Sequence, residues 1–188
     1  MNYILSGGNY DKTPVGFKEP PTNAGEIPHE VATMMRILDF LNKDCIELNI
    51  KSKTKEDIIK ELVDMLDKKG AILDKAVTID SLMEREELGS TGVGQDIAIP
   101  HSKTKGVKDL VGAFGVSKTG VDFEALDGEP VYIFFMLLAP EGAAGVMLKA
   151  LARVSNFLKN KYYRKKIISA QTKEEIIQII EEEEKTKQ

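Results

Sequence analysis

Several residue types that carry common protein chemistries are scarce in this chain of 188 residues. It contains one cysteine, two histidines and no tryptophan. A lone Cys45 cannot form an internal disulfide, and no cluster of Cys and His offers a zinc site. No apolar run approaches the roughly 20 residues of a membrane-spanning helix, and Met1 to Gly25 lacks the basic start and apolar middle of a secretory signal. We therefore expect a cytoplasmic protein that does not insert into the membrane.

The charge balance is mildly acidic, with a formal net charge of -4 at pH 7. This argues against non-specific nucleic-acid binding, which needs a basic surface. One basic stretch runs from Lys159 to Lys166, and the acidic run Glu181 to Glu184 follows it. We interpret the basic stretch as a solvated helical face, with a docking surface as the alternative.

The chain divides into an extension and a domain. Residues 1–28 are rich in Gly, Pro, Asn and Thr, which predicts an irregular segment. Apolar residues then recur at helical spacing, so we expect a short amphipathic helix from about Glu30 to Asn42 that covers the domain or, alternatively, pairs with another subunit. The sequence thus predicts an N-terminal extension over residues 1–42 and one domain over residues 43–185.

Helices in the domain are predicted from apolar spacing together with start and stop signals. Thr54 with Asp57 resembles a helix N-cap, and Gly70 is placed to end that helix. The apolar face between them comprises Ile58, Ile59, Leu62, Val63 and Leu66. Further helices are predicted at Lys75 to Glu87, at the periodic set Leu148, Leu151, Ala152, Ser155 and Leu158, and after the capping box of Thr172 and Glu175.

Strands are predicted between these helices. Ile46, Leu48 and Ile50 alternate with polar residues, and two apolar segments cover Ile97 to Ile99 and Leu110 to Val116. The run from Val131 to Leu138 lacks polar alternation, which predicts a central strand covered on both faces. Helices before, between and after strands indicate an α/β domain in which helices sandwich a sheet.

Of the two histidines, only His101 has a setting that suggests chemistry. His29 lies in the extension, where we expect a surface residue without a chemical role. His101 follows an apolar strand and Pro100, which fixes its own φ and restricts Ile99 to extended geometry. Residues in loops at strand ends often carry function. On the residues alone, a structural or surface histidine remains the alternative.

The segment before His101 could receive an anion. Three glycines among hydroxyl residues, from Gly89 to Gly94, allow backbone N–H groups to approach a phosphate closely. Arg85 offers a planar fork of donors that suits a phosphoryl group. The segment lacks the Gly-Lys-Ser/Thr ending of a Walker loop, so nucleotide binding is not indicated.

The segment Ser90 to His101, with the sequence STGVGQDIAIPH, resembles the active-site signature of the IIA phosphocarrier proteins. These belong to the fructose/mannitol class of the bacterial sugar phosphotransferase system. The segments REELGSTG from Arg85 and VDFEALDGEPV from Val121 look particularly like the nitrogen-regulatory branch of that class. The resemblance covers roughly Lys43 to Glu184.

The resemblance implies a fold, a chemistry and partners. The fold is a mixed sheet flanked by helices, as in fructose/mannitol-type IIA domains. His101 would receive a phosphoryl group from a histidine-containing phosphocarrier protein and pass it to a IIB partner, or the phosphorylation state would itself be a signal. Arg85 matches the family's active-site arginine, and we expect Thr91, Gly92 and Ser102 to contribute to phosphoryl binding. This chemistry requires no metal, nucleotide or other cofactor.

One position departs from the family pattern. Relatives usually carry a second histidine just before the Leu-Lys of the helix after the central strand, and this chain has Met147 there. A thioether neither carries charge nor donates a hydrogen bond, so the departure predicts impaired onward transfer, while His101 is still phosphorylated. The alternative function is therefore a regulatory binding module with an impaired site, which acts by protein–protein contact.

Overall fold

The computed structural model describes residues 35–186. Within them, the helices are α1 (Ile37–Phe40), α2 (Lys55–Asp67), α3 (Lys75–Glu87), α4 (Ala144–Leu158), α5 (Lys161–Ser169) and α6 (Lys173–Lys185). The strands are β1 (Leu41–Glu47), β2 (Gly92–Gly94), β3 (Ile97–Ala98), β4 (His101–Lys103), β5 (Val111–Val121) and β6 (Val131–Ala139). Helices lie before, between and after the strands, as the sequence predicts for an α/β domain.

The six strands of the described residues form one mixed sheet with the order β1-β5-β6-β3-β2. β5 and β6 pair antiparallel, whereas β1 pairs parallel with β5 and both β3 and β4 pair parallel with β6. β4 continues along the same edge of β6 beyond β3. The mixed sheet implied by the family resemblance is therefore confirmed.

Strand β6 separates two apolar clusters. Ile133, Phe135 and Leu137 pack into one cluster with residues of α4, α5 and α6. Phe134 and Met136 point to the opposite face, where residues of α2 and Leu82 of α3 cover them. Successive side chains of a strand point to opposite faces, so a strand covered on both sides must be apolar throughout. The prediction of a doubly covered central strand is confirmed.

The helix start signals act as predicted. The Thr54 side chain accepts a hydrogen bond from the Asp57 N–H at 3.2 Å, and Thr172 accepts one from Glu175 at the same distance. α2 buries the five apolar residues that the spacing selects. After α2 ends, Gly70 adopts a φ of 68°, a left-handed conformation that glycine accommodates without strain.

The predicted helix from Glu30 to Asn42 ends too late. α1 ends at Phe40, and Leu41 already belongs to β1, where it pairs with Gly112 of β5. Leu41 satisfies the helical spacing, but its pairing with the sheet determines the structure. Ile37 and Leu41 are buried in the core, while residues 1–34, including His29, lie outside the described part. The division at residue 42 stays a prediction, although the core begins before it.

The apolar face predicted for α4 is wrong in part. Leu158 is buried and Leu151 is half-buried, as predicted, but Leu148 is 64% exposed, and Ala152 and Ser155 are also exposed. The residues that α4 buries are Met147, Ala150, Val154, Phe157 and Leu158. Both sets follow helical spacing, and only packing on the sheet decides between them.

The basic stretch is not uniformly solvated. Arg164 is buried, and its guanidinium donates to the carbonyls of Leu158 and Lys159 at 2.9 and 2.8 Å. It therefore satisfies the otherwise open carbonyls at the end of α4. Lys161, Lys165 and Lys166 have exposed or half-exposed side chains, in agreement with the predicted helical face.

Candidate functional site

His101 lies at the edge of the sheet, directly after a break in a strand. β3 and β4 both pair with β6, and Ile99 and Pro100 interrupt them. The Pro100 carbonyl accepts from the Leu137 N–H at 2.9 Å, so the chain stays attached to β6 through the break. His101 is the register partner of Leu137. Proline thus places the imidazole on a fixed part of the sheet, as the sequence predicts.

Both ring nitrogens of His101 have partners. Nδ1 lies 2.8 Å from the Ile99 carbonyl oxygen, and the Arg85 Nε–H donates to Nε2 at 3.3 Å. A carbonyl oxygen only accepts and an arginine only donates, so this arrangement assigns the proton to Nδ1 and the lone pair to Nε2. The structure therefore presents Nε2 as the nucleophilic atom, next to a guanidinium.

The surroundings keep the ring neutral. Burial lowers the pKa of His101 below its ordinary value of 6.5, and the Arg85 charge lowers the pKa further, while the Ile99 carbonyl and Glu86 act in the opposite direction. Desolvation penalises the charged imidazolium. A neutral imidazole is the nucleophilic form, so the site favours the reactive state at neutral pH.

Arg85 is held at the end of α3 in a position to serve the ring. Its Nη1 donates to the Gly89 carbonyl at 2.9 Å while its Nε contacts His101. A guanidinium has five N–H donors, and these two bonds use two of them. Within the described residues the other three are available to an incoming anion. The structure thus brings together His101 and Arg85, which are sixteen positions apart in the sequence.

The three predicted phosphoryl-binding residues have their donors engaged elsewhere. The Thr91 hydroxyl and N–H both donate to the Glu86 carboxylate, at 2.6 and 2.9 Å. The Gly92 N–H donates to Ser90 Oγ at 3.1 Å. Ser102 follows His101 on the strand and faces the other side of the sheet, where its hydroxyl donates to the Ser81 carbonyl at 3.0 Å. That these residues bind a phosphoryl group stays a prediction.

Met147 lies in the core. It is 5% exposed, and it packs in the same apolar cluster as Leu137, the register partner of His101. Its thioether therefore contributes packing, as the simpler interpretation of this position predicts. Among the described residues no group of three or more His, Cys, Asp or Glu side chains suits a metal ion, and no helix there is long and apolar enough to cross a bilayer.

Glu86 is the residue of this region that sequence reasoning did not select. It is 7% exposed, although it is charged and follows Arg85 directly. Its carboxylate accepts from Thr91 and lies 3.2 Å from Lys55 Nζ. The REELGSTG segment contains it, but nothing in the sequence distinguishes it from the exposed Glu87.

Known proteins match most of the chain. The family model of EIIA 2 of the phosphoenolpyruvate-dependent sugar phosphotransferase system (PTS) matches residues 39–183. The fructose-specific EIIABC component of Bacillus subtilis (strain 168) is 44% identical over 151 residues, which cover 80% of this chain but only 24% of that protein. A nitrogen regulatory protein of Bradyrhizobium diazoefficiens is 34% identical over 146 residues, or 78% of this chain and 95% of that protein.

Solved structures agree. Nitrogen regulatory protein IIA-Ntr of Neisseria meningitidis superposes with a TM-score of 0.70 at 34% identity, and the match covers 76% of this chain and 97% of that one. IIA mannitol of Escherichia coli, in complex with phosphorylated IIB mannitol, gives a TM-score of 0.65 over 75% of this chain and 96% of that one. Its identity of 19% supports the fold alone.

The extent of the family match confirms the resemblance carried by the segments around Arg85 and His101. The relatives include both sugar-specific and nitrogen-regulatory proteins. The chain therefore belongs to the EIIA 2 family of the phosphoenolpyruvate-dependent sugar phosphotransferase system, and it is a phosphotransferase component with a phosphocarrier or regulatory role.

Proposed function

We propose that His101 accepts a phosphoryl group on Nε2 from a histidine-containing phosphocarrier protein in the cytoplasm. The observation that carries the proposal is the fixed ring, with Nδ1 on the Ile99 carbonyl and Nε2 toward Arg85. A bond forms between Nε2 and phosphorus as the donor's nitrogen–phosphorus bond breaks. Nδ1 keeps its proton throughout. The product is a phosphohistidine, which is labile enough to pass the group on.

Arg85 stabilises the phosphoryl group during transfer. Its Nε–H contacts the atom that attacks, so a small rotation of the guanidinium directs its donors at the phosphoryl oxygens. Charge spreads over those oxygens in the transition state, where a positioned cation is most effective. Thr91, Gly92 and Ser102 are lesser contributors in this proposal, since using their donors requires local rearrangement.

The acceptor is a IIB partner in sugar uptake or a regulated protein. The mannitol IIA–IIB complex supports the first, and the nitrogen regulatory relatives support the second. A binding module with an impaired site is less well supported, because Arg85 and His101 are in contact in the absence of any partner.

Met147 affects the transfer of the phosphoryl group from His101 to the acceptor in this proposal. A histidine there would offer a second donor near the phosphoryl group, and loss of one such donor costs on the order of 10²-fold in rate. We propose that Arg85 with backbone donors supports phosphorylation of His101, while transfer to an acceptor is slower than in relatives with the second histidine. A Met147→His variant tests this: an onward rate equal to that of the parent would remove the argument.

The central experiment measures phosphate on the protein. Purified protein is incubated with phosphoenolpyruvate, the first enzyme of the system and its histidine phosphocarrier, and its mass is measured before and after acid treatment. We expect one acid-labile phosphate on the parent and none on His101→Ala. If the parent takes none while a family member labelled alongside does, the phosphocarrier proposal is wrong.

A further inference from the structure

The carboxylate of Glu86 is buried and makes three contacts. One oxygen accepts from the Thr91 N–H at 2.9 Å and lies 3.2 Å from Lys55 Nζ. The other accepts from the Thr91 hydroxyl at 2.6 Å, and Glu86 also acts electrostatically on His101. A buried carboxylate costs free energy unless it is paired and hydrogen-bonded. Both oxygens here are paired.

Thr91 connects Glu86 to His101 through a chain of hydrogen bonds. While Glu86 holds the N–H and hydroxyl of Thr91, the Thr91 carbonyl accepts from the Ile99 N–H at 3.0 Å. The Ile99 carbonyl in turn accepts from His101 Nδ1 at 2.8 Å. Three hydrogen-bonded steps therefore connect the Glu86 carboxylate to the ring.

Arg85 and Glu86 are neighbours on the last turn of α3, and each acts on a different ring nitrogen of His101. Arg85 contacts Nε2 directly, whereas Glu86 acts through Thr91 and Ile99 on Nδ1. The direct contact of Arg85 and the hydrogen-bonded chain from Glu86 together fix the position of the ring and the nitrogen that carries the proton. Such outer partners set the tautomer and orientation of functional histidines.

Lys55 compensates the buried charge of Glu86. Its ammonium also pairs with Glu124 and lies 5.3 Å from the centre of the Phe123 ring. The Lys55 side chain is 15% exposed, against 5% for Glu86. Lys55 lies at the start of α2, so the Glu86 carboxylate also links α2 to the loop that follows α3.

We propose that Glu86 is a positioning residue for phosphoryl transfer, which holds Thr91 and Ile99 so that His101 keeps its proton on Nδ1 and presents Nε2. The role rests on the proposed phosphocarrier function. Glu86 touches neither the phosphoryl group nor the ring. Its effect is to keep the ring in the one tautomer and orientation that can attack.

The test uses Glu86→Gln, which keeps the size of the side chain but removes its charge and half of its accepting capacity. Glu87→Gln is the matched control, since Glu87 is the next residue on the helix and is exposed. Thermal unfolding confirms that each variant is folded. The ¹⁵N shifts of the two ring nitrogens report the His101 tautomer, and single-turnover phosphorylation from the charged phosphocarrier protein gives the rate.

We expect the parent and Glu87→Gln to show the Nδ1–H tautomer and equal rates. Glu86→Gln should mix the tautomers and lower the rate about tenfold, because a misplaced reacting group loses much of the advantage of orientation. A rate within twofold of the parent, or a lowered rate with unchanged ring shifts, overturns the positioning role.

A second pair of variants covers the case in which Glu86→Gln does not fold. Thr91→Val removes the hydroxyl that donates to Glu86, and Thr91→Ser retains it. We expect the valine variant to show mixed tautomers of the His101 ring, and the serine variant to keep the Nδ1–H tautomer. Equal ring shifts in the two variants overturn the proposal. If the parent accepts no phosphate, the phosphocarrier function fails, but the ring shifts still decide the role of Glu86.

Discussion

Replacing Arg85 separates the two effects that its guanidinium has on His101. Its charge lowers the pKa of the ring, and its N–H groups lie where a phosphoryl group would attach. Arg85→Gln removes both effects. Arg85→Lys keeps the charge but replaces the planar fork with a point charge.

The expected magnitudes follow from these roles. Loss of one donor to a developing oxyanion costs about 10²-fold, or about 2.7 kcal/mol of transition-state stabilisation, so Arg85→Gln should slow phosphorylation of His101 by about that factor. Arg85→Lys should be intermediate. Removing the cation also raises the pKa of His101, so the rate of Arg85→Gln should begin to fall at a higher pH than that of the parent. Arg85→Lys should keep the midpoint of the parent.

The assay is single-turnover phosphorylation between pH 5 and pH 8, with acid-labile phosphate measured by mass spectrometry. The parent rate should be level at neutral pH and should fall as the pH is lowered. The pH midpoint of this fall should lie below the ordinary histidine pKa of 6.5, because burial favours the neutral ring. If Arg85→Gln stays within twofold of the parent, Arg85 does not assist transfer. A midpoint of Arg85→Gln below that of the parent refutes the electrostatic reasoning.

Three further predictions concern stability, each measured by urea denaturation. Met147→His should lower the free energy of unfolding by about 1–3 kcal/mol, because it buries an imidazole in an apolar cluster; an unchanged midpoint would show that the position opens to water. Gly106→Ala should lower the free energy of unfolding by about 1–3 kcal/mol, since a Cβ there would lie 2.0 Å from Thr78 Oγ1. The control Gly142→Ala should leave it unchanged, because a Cβ there would have no atom within 4 Å. Equal losses in the two variants would contradict this. Hydrogen bonds from backbone N–H groups lower the pKa of Asp127. The parent should therefore be more stable than Asp127→Asn at neutral pH, and this difference should disappear as the pH falls through the folded-state pKa of Asp127. A difference in stability that persists below that pH would contradict the assignment.

Local signals in the sequence predicted most elements because tertiary packing agrees with them. α3 has the predicted bounds, and the side chains of Thr54 and Thr172 accept from the N–H groups that their spacing indicates. The misplaced boundary at Leu41 and the partly misplaced face of α4 have one cause. Leu41 fits the helical spacing but pairs in the sheet. In α4 two groupings of apolar residues fit that spacing, and contact with the sheet selects one of them. A single sequence contains no information about that contact.

The candidate site was predicted less completely than the fold. Pro100 indicated a rigid mount for His101, but only the family resemblance indicated that Arg85 would reach it. The side chains of Thr91 and Ser102 are polar and close to His101 in sequence, but their hydroxyls donate to Glu86 and to Ser81. The direction of a side chain depends on strand alternation and on partners far along the chain, and a short motif encodes neither.

The glycines before His101 also have a structural role. A Cβ at position 92 would lie 2.9 Å from the Ala125 Cα. Glycine at that position therefore permits close packing between β2 and the segment that carries Ala125, and its N–H donates to Ser90. This packing holds the segment that carries Thr91, whose carbonyl positions Ile99 and thereby His101. In the proposed function, the motif makes the support of the histidine rigid, while Arg85 supplies the charge that meets the phosphoryl group.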